Sequence, residues 1–403
     1  MNIGMFTDTY LPQINGVATS VSLFKRYLEA LGHKVYVFAP CKPESEERAY
    51  MVPSFPFLFQ MEHKIALPQF FEFDKILKDL RLDILHSHAP FSMGFFAMKI
   101  QRKYSIPHVH TYHTLLSEYR HYIPAPLRPD KNSVEKFSAY FCNQMDGVIA
   151  PTKEIKNGLI GYGVEREIYI LPTGVDMESF DGSPTIDVRK VLNIPEKSRI
   201  LITVGRIAKE KNFEFIVKVF EHLYKEYKDI FLVIVGDGPQ RKELEHYVKT
   251  HNIGDRVRFT GYIKRKHLVD YYKSSYLFVF ASHTETQGLV LLEAMAASIP
   301  VVAIGDMGVL DVIEDGNGGI LIYQENMEKF IAGVRKMLDD DEYYAEMSRK
   351  ARRYVMGHWS MTVMAGRLEE IYEDVIQNTR KVKRKGYNRK IIEEKIWSKL
   401  LGI

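Results

Sequence analysis

Residues 276–297 read YLFVFASHTETQGLVLLEAMAA. The first six residues, Tyr276 to Ala281, form a short apolar and aromatic run that predicts a buried strand. Leu289, Leu292, Glu293 and Ala296 then recur at helical spacing, so a helix is expected to begin near Gly288. Between strand and helix lies a turn carrying Glu285, and eight positions later comes a second carboxylate, Glu293. Free backbone N–H groups at the helix start, together with the helix dipole, favour a phosphate. Glu293, a turn and a half further in, suits a pair of sugar or ribose hydroxyls. The spacing fits equally a plain strand–turn–helix corner with one exposed carboxylate and one capping carboxylate.

Strand followed by helix at this period implies a parallel α/β sheet, and the length implies more than one. A chain of 403 residues exceeds one ordinary core, so two domains are expected. Hydrophobic content of 46% and charged content of 26% describe a soluble globular protein. Cys41 and Cys142 are too few for a disulfide framework or a metal cluster, which suits a reducing cytosol. The chain opens on an apolar strand, Asn2 to Thr7, without the basic region of a secretory signal. No stretch approaches the 18 apolar residues of a membrane span. The net charge of +4 is uneven: residues 380–403 hold nine Lys/Arg against two Glu, a net of +7 that leaves −3 for the rest. A near-neutral body with a basic tail excludes a nucleic-acid groove through the fold and points to an anionic surface met by one end. There, Ile392, Ile396, Leu400 and Ile403 make a helical stripe flanked by Trp397 and lysines, the pattern of an interfacial helix. Docking of that stripe on the protein itself fits the same spacing.

Working outward from the N-terminus, a strand at 2–7 leads through DTYLPQING (residues 8–16) into a helix. Val21, Phe24, Leu28 and Leu31 mark its buried face, and a second strand spans Lys34 to Ala39. This β–loop–α–β opening is of the doubly wound type, and Gly16 at the helix start lets a diphosphate approach the backbone. The loop lacks a G-x-G-x-x-G fingerprint, which weakens a dinucleotide reading. Residues 50–73 carry seven aromatic side chains, a core feature or an apolar acceptor mouth, with Pro53, Pro56 and Pro68 making much of it loop-like. Short strands are expected at 83–87, 107–111 and 147–150, with helices at 91–104 and 130–143. His110-Thr111-Tyr112-His113-Thr114 closes the second of those strands, where polar contacts to a ligand gather; a metal would need a third ligand that is not nearby. The proline-rich residues 114–130 read as a loop rather than a continuous helix, and are a candidate lid.

Leu171 to Asp176 (LPTGVD) punctuates the chain as a hinge, so a first domain of 1–172 and a second of 173–357 are expected. After the hinge, a strand at 199–204 ends in Gly205-Arg206, with Lys211 five residues on. Helix 213–227, strand 230–235, the turn Gly236 to Pro239 and strand 257–260 follow, ending at Gly261-Tyr262-Ile263. Beyond the quoted stretch come a strand at 300–303, helices near 325–338 and 340–355, and an amphipathic helix at 360–378.

Glu285-x7-Glu293 with Gly288, Arg206-x4-Lys211 after a strand-ending glycine, and H-T-Y-H-T together resemble the retaining glycosyltransferases of family 4. The family's usual aromatic two residues after the first glutamate is here Gln287. The resemblance covers most of the chain apart from its tail. TDTYLPQINGVATS, YHTLLSEY and ETQGLVLLE are similar to the bacterial diacylglycerol glucosyltransferase branch. It implies an α/β fold of the GT-B kind: two doubly wound Rossmann-like domains facing across a cleft, with the C-terminal helices, from about 358 to 403, crossing back to complete the N-terminal domain.

The resemblance also implies roles. Arg206 and Lys211 would hold the donor diphosphate, Arg206 as a planar fork and Lys211 as a compact charge. Glu285 would orient the sugar hydroxyls and His113 would contact the sugar near the reacting carbon. Gly16, Gly288, Leu289 and Val290 would face the donor, Tyr262 and Ile263 the base, and Glu293 the ribose. Asn15, His110 and Tyr112 are expected on the acceptor side, His110 mainly in packing. The expected donor is a nucleotide sugar, UDP-glucose, with no tightly bound cofactor and no Mg²⁺ requirement, because two cations take the metal's place. The expected acceptor is the hydroxyl of 1,2-diacylglycerol at the inner membrane face, met by a cytoplasmic, peripheral enzyme. A phosphatidylinositol mannosyltransferase or a transferase to a soluble acceptor shares these motifs. A GT-B sugar-nucleotide epimerase would need no acceptor, and a two-domain sugar-binding protein would release no UDP.

Overall fold

A computed structural model describes residues 1–13, 15–42, 46–57, 60–66, 70–113, 116, 128–283, 287–306 and 308–401, with backbone alone at 56–57, 60–65, 70–72 and 382–401. The chain forms two compact units, Met1–Thr173 with Met364–Ile403, and Gly174–Val363. The division falls within the LPTGVD stretch.

The first unit contains β1 (Asn2–Phe6), α1 (Gly16–Ala30), β2 (Lys34–Ala39), β3 (Ala49–Met51), β4 (Ser54–Phe57), β5 (Gln60–Ala66), α2 (Phe70–Leu80), β6 (Ile84–Ser87), α3 (Ser92–Tyr104), β7 (His108–Thr111), α4 (Lys131–Asn143), β8 (Gly147–Ala150), α5 (Lys153–Gly161) and β9 (Ile168–Ile170). Seven strands pair in the order β3-β2-β1-β6-β7-β8-β9, all parallel, while β4 and β5 form a separate antiparallel pair. Strand order reverses between β1 and β6, which opens a crevice beyond their carboxyl ends.

The second unit contains α6 (Val188–Leu192), β10 (Arg199–Val204), α7 (Phe213–Glu226), β11 (Ile230–Val235), α8 (Arg241–Thr250), β12 (Val257–Gly261), α9 (Arg265–Lys273), β13 (Leu277–Phe280), α10 (Leu289–Ala296), β14 (Val301–Ile304), α11 (Gly308–Val312), β15 (Gly319–Ile322), α12 (Met327–Asp339) and α13 (Asp341–His358). Its six strands run parallel in the order β12-β11-β10-β13-β14-β15, reversing between β10 and β13. Ile200, Ile202 and Val204 of β10 enter one core and Leu201 enters the other, so helices cover both faces. That double burial is why β11 reads IFLVIV without polar alternation.

Two sequence expectations are refined by packing. Of the aromatic stretch, Tyr50 stacks on Phe38 and Phe73 is buried among Phe38 and Phe96, so those rings are core. Phe55 is exposed; Phe59 and the side chains of Phe57, Phe70 and Phe71 lie outside the described residues. The last helix is also longer than the pattern at 360–378 predicts. α14 runs unbroken over Met361–Leu401, burying Leu368, Tyr372 and Val375 in the first unit. No described helix is long and apolar enough to cross a membrane.

Candidate active site

In the second unit the candidate residues gather at the strand reversal between β10 and β13. β10 ends in Gly205-Arg206, and the loops after β10, β11 and β12 are laced by backbone hydrogen bonds. Gly205 N–H donates to Val235 O at 3.0 Å, Ile207 N–H to Asp237 O at 3.0 Å, and Gly236 N–H to Gly261 O at 3.0 Å. The lacing is so close that a Cβ on Gly236 (φ +137°) would lie 1.9 Å from Gly205 O, and one on Gly238 would lie 2.3 Å from Ile207 O. Only glycine fits at those two positions. Arg206 stands on this platform, exposed, with no side-chain partner among the described residues.

Lys211 ends a short 3₁₀ turn, Lys209–Lys211, whose backbone reaches across to β13. His283 N–H donates to Glu210 O at 3.2 Å, and Ser282 Oγ donates to the same oxygen at 3.5 Å. The loop after β13 is thereby fixed to the turn that bears Lys211. Gly288, at φ +67°, caps α10, whose first residues Leu289 and Val290 are half-buried. Two cations and a helix N-terminus thus flank the reversal, the arrangement that a diphosphate needs. Glu285 lies outside the described residues.

Glu293 is 5% exposed, and its carboxylate already has partners: Arg265 Nη2 at 2.8 Å and the Tyr272 hydroxyl, donating at 3.1 Å. Burial raises its pKa; Arg265 and Tyr272 pull the other way. A ribose at this carboxylate therefore has to share it with, or displace, Arg265. Tyr262 is 72% exposed, and Ile263 is half-buried, just before α9.

Sequence reading missed His283. Its Nδ1 lies 3.2 Å from Asp306 Oδ2 and its Nε2 lies 2.9 Å from Glu325 Oε2. Carboxylate oxygens only accept, so both contacts favour the protonated ring, while Asn212 Nδ2 also lies 3.2 Å from Nε2. Burial opposes that charge, but Asp306 and Glu325 outweigh it and raise the pKa. Asn212 Nδ2 donates to the same Glu325 oxygen at 2.7 Å, tying the residue after Lys211 into the cluster.

In the first unit, Asn15 caps α1, its Oδ1 accepting from Ala18 N–H at 2.9 Å, and Gly16 faces open space. His110 and Tyr112 are both buried, which for His110 agrees with the packing expected of it. Tyr112 is 1% exposed and its hydroxyl bonds Ser138 Oγ at 2.7 Å; His110 is fully buried, with Nδ1 2.9 Å from Ser87 Oγ. Tyr112 reaches Ser138 of α4 and His110 reaches Ser87 of β6, so both rings are held within the core. Among the described residues of that segment only His113 is half-buried, its Nε2 lying 3.1 Å from His88 Nδ1.

His86, His88 and His108 complete a cluster that the sequence reading overlooked. The signal was there: His86 and His88 alternate at the end of β6, His108 and His110 alternate in neighbouring β7, and period two puts each pair on one face. Burial pushes all five rings down, His108 to about 3 and His113 to about 4, so each is neutral. Asp8, at the end of β1, accepts from Ser92 Oγ and from Met93 N–H at 3.2 Å; burial pushes its carboxyl up to about 6. Among the described residues no cluster of His, Cys, Asp or Glu is suited to a metal.

Two parallel sheets, each with a strand reversal, and a diphosphate-type cradle on the second define a GT-B glycosyltransferase. Solved structures share the fold: sucrose-phosphate synthase of Thermosynechococcus elongatus matches at TM-score 0.67 and 22% identity over 93% of this chain and 99% of that one. Anabaena HepE in complex with UDP matches at TM-score 0.70 and 15% identity over 93% and 100%. Residues 14–179 match the family described as Glycosyltransferase Family 4, and residues 185–354 match Glycosyl transferases group 1.

This chain belongs to glycosyltransferase family 4, in its diacylglycerol glucosyltransferase branch. The alpha-monoglucosyldiacylglycerol synthase of Streptococcus pneumoniae is 35% identical over 336 residues, covering 81% of this chain and 76% of that protein. The protein of the same name from Acholeplasma laidlawii is 32% identical over 402 residues, covering 96% and 100%.

Proposed function

We propose that this chain transfers glucose from UDP-glucose to the free hydroxyl of 1,2-diacylglycerol, with retention, at the cytoplasmic face of the membrane. The observation that carries the reading is Arg206: an exposed guanidinium held on a glycine-tight platform beside the Lys211 turn and the α10 N-terminus. The acceptor is inferred from relatives named for making alpha-monoglucosyldiacylglycerol. The basic end of the chain supports a membrane address.

In this mechanism the bond from sugar C1 to the diphosphate oxygen breaks while the acceptor oxygen bonds C1 from the same face. The acceptor's proton passes to the departing diphosphate. Arg206, Lys211 and the backbone N–H groups at Gly288 neutralise the charge growing on that leaving group, each contact being worth about 2.7–4 kcal/mol by comparison with a single oxyanion donor. His113 contacts the sugar, Glu293 takes the ribose as Arg265 yields, and Glu285 is assigned the sugar hydroxyls by its motif alone. The two cations fill a divalent metal's role at the diphosphate.

The test is nucleotide release from UDP-glucose or GDP-mannose, with and without diacylglycerol or phosphatidylinositol vesicles, in EDTA. The expected result is UDP release that depends on diacylglycerol, with an α-linked product by proton NMR. Preference for GDP-mannose, turnover without an acceptor, an inverted anomer, or abolition by EDTA would each overturn part of the reading.

A further inference from the structure

His88 closes β6 and is 3% exposed. Its Nδ1 meets His113 Nε2 at 3.1 Å, while its Nε2 has no hydrogen-bond partner among the described residues. Its ring is clamped: His86 lies against it with centroids 4.0 Å apart. His86 is itself pinned at both nitrogens, Nδ1 to the Tyr372 hydroxyl at 2.6 Å and Nε2 to Thr111 Oγ1 at 2.7 Å. His88 therefore meets His113 in one orientation.

Two neutral imidazoles at hydrogen-bond distance have two arrangements. If His113 donated from Nε2, His88 would accept at Nδ1 and bury an unpaired N–H at Nε2. If His88 donates from Nδ1, only a bare lone pair is left in the core. Orphaned buried N–H groups are the rarer defect, so the second arrangement prevails. His113 then accepts at Nε2 and must carry its own proton on Nδ1. That nitrogen makes no hydrogen bond among the described residues, yet it is not sealed in the core.

We infer that His88 is a positioning residue that fixes the tautomer of His113, so that a neutral Nδ1–H donor is offered to a hydroxyl oxygen of the transferred sugar. This rests on the proposed reading of His113 as a sugar contact. His88 touches neither donor nor acceptor; it decides which nitrogen of its neighbour donates. The opposite tautomer would turn a lone pair toward the same hydroxyl and require that hydroxyl to reorient its own proton.

Nitrogen-15 NMR of histidine-labelled full-length protein reads the tautomer directly. A pyrrole-type Nδ1 and a pyridine-type Nε2 are expected for His113, and the reverse assignment overturns the inference. Kinetics supply the second arm. His88→Asn keeps an amide N–H where Nδ1 stood and should retain at least about a third of kcat. His88→Leu, which has no donor, should lose about tenfold in kcat with KM for UDP-glucose within about threefold. Equal losses in the two variants, or full kcat in His88→Leu, would overturn the inference. Full turnover in His113→Ala would sink the sugar contact itself, and the inference with it. A crippled His113→Ala beside an unimpaired His88→Leu removes only the positioning role. Should His88→Leu fail to fold, the NMR assignment and His88→Asn still decide.

Discussion

In the first unit five histidines lie along β6 and β7 and just beyond their carboxyl ends, all held neutral by burial. In the second, His283 stands at the end of β13 between Asp306 and Glu325, whose carboxylates raise its pKa and favour the protonated ring. The two sheets have the same kind of reversal, so topology does not account for the difference. What differs is the access of water and the neighbours supplied by adjoining loops. Where carboxylates face a partly exposed ring, as at His283, the protonated form is favoured. Where the neighbours are hydroxyls and other imidazoles inside the core, it leaves. The buried imidazoles pair with hydroxyls and with one another, whereas a turn bearing exposed Arg206 suits an anion such as a diphosphate.

The largest expected effect separates the two units by acid. Unfolded histidines protonate near 6.5, whereas His113 is held at about 4 and His108 at about 3. Their stabilisation is complete above about 6.5 and is lost as pH falls toward 4, at about 1.4 kcal/mol per pH unit for each ring. Amide exchange in β6 and β7, corrected for its intrinsic pH dependence, should therefore lose protection between pH 7 and 5, while β10 and β11 hold theirs. Equal loss in both sheets would break the contrast.

Next in size is the charge on the second unit. Arg206→Ala or Lys211→Ala should lower kcat by about 100- to 1000-fold, because the lost contact acts on the departing diphosphate. Arg206 is exposed, so its removal should leave the melting temperature unchanged. Near-normal kcat in either variant would remove that cation from the site.

The smallest effect belongs to His283. Its raised pKa means that its stabilisation is full below about 6.5 and fades as pH rises through the folded value. Partly exposed ion pairs of this kind contribute at most about 1 kcal/mol and weaken in salt. His283→Gln should melt lower than wild type at pH 6, with the gap closing at pH 9. A gap independent of pH would mean that the ring is held by shape and not by charge.

Much of this was legible in the sequence because strands and helices write their own period. Lys34–Ala39 and Gly147–Ala150 lie where their apolar runs put them, and Gly288 caps α10 as the helical spacing demanded. Partners drawn from distant segments were not legible. Glu293 looked like an open carboxylate, yet Arg265 and Tyr272 reach it from α9, and the pairing of His88 with His113 spans 25 positions. Tyr112 sits beside His113 in sequence but points into the core, because neighbours at a strand's end face opposite sides. The stripe at 392–403 stays a sequence expectation, its side chains lying outside the described residues.

The contact of Gly236 with Gly205 works like a machined fit with no clearance. The stance of Arg206 is set by two missing methyl groups, at residues 236 and 238, that take no part in the chemistry. An alanine at either place would wedge the ends of β10 and β11 apart and carry the guanidinium off its mark. The second unit is therefore least forgiving at positions with nothing to offer a substrate, and its reactive face can be detuned from behind without altering a single charged residue.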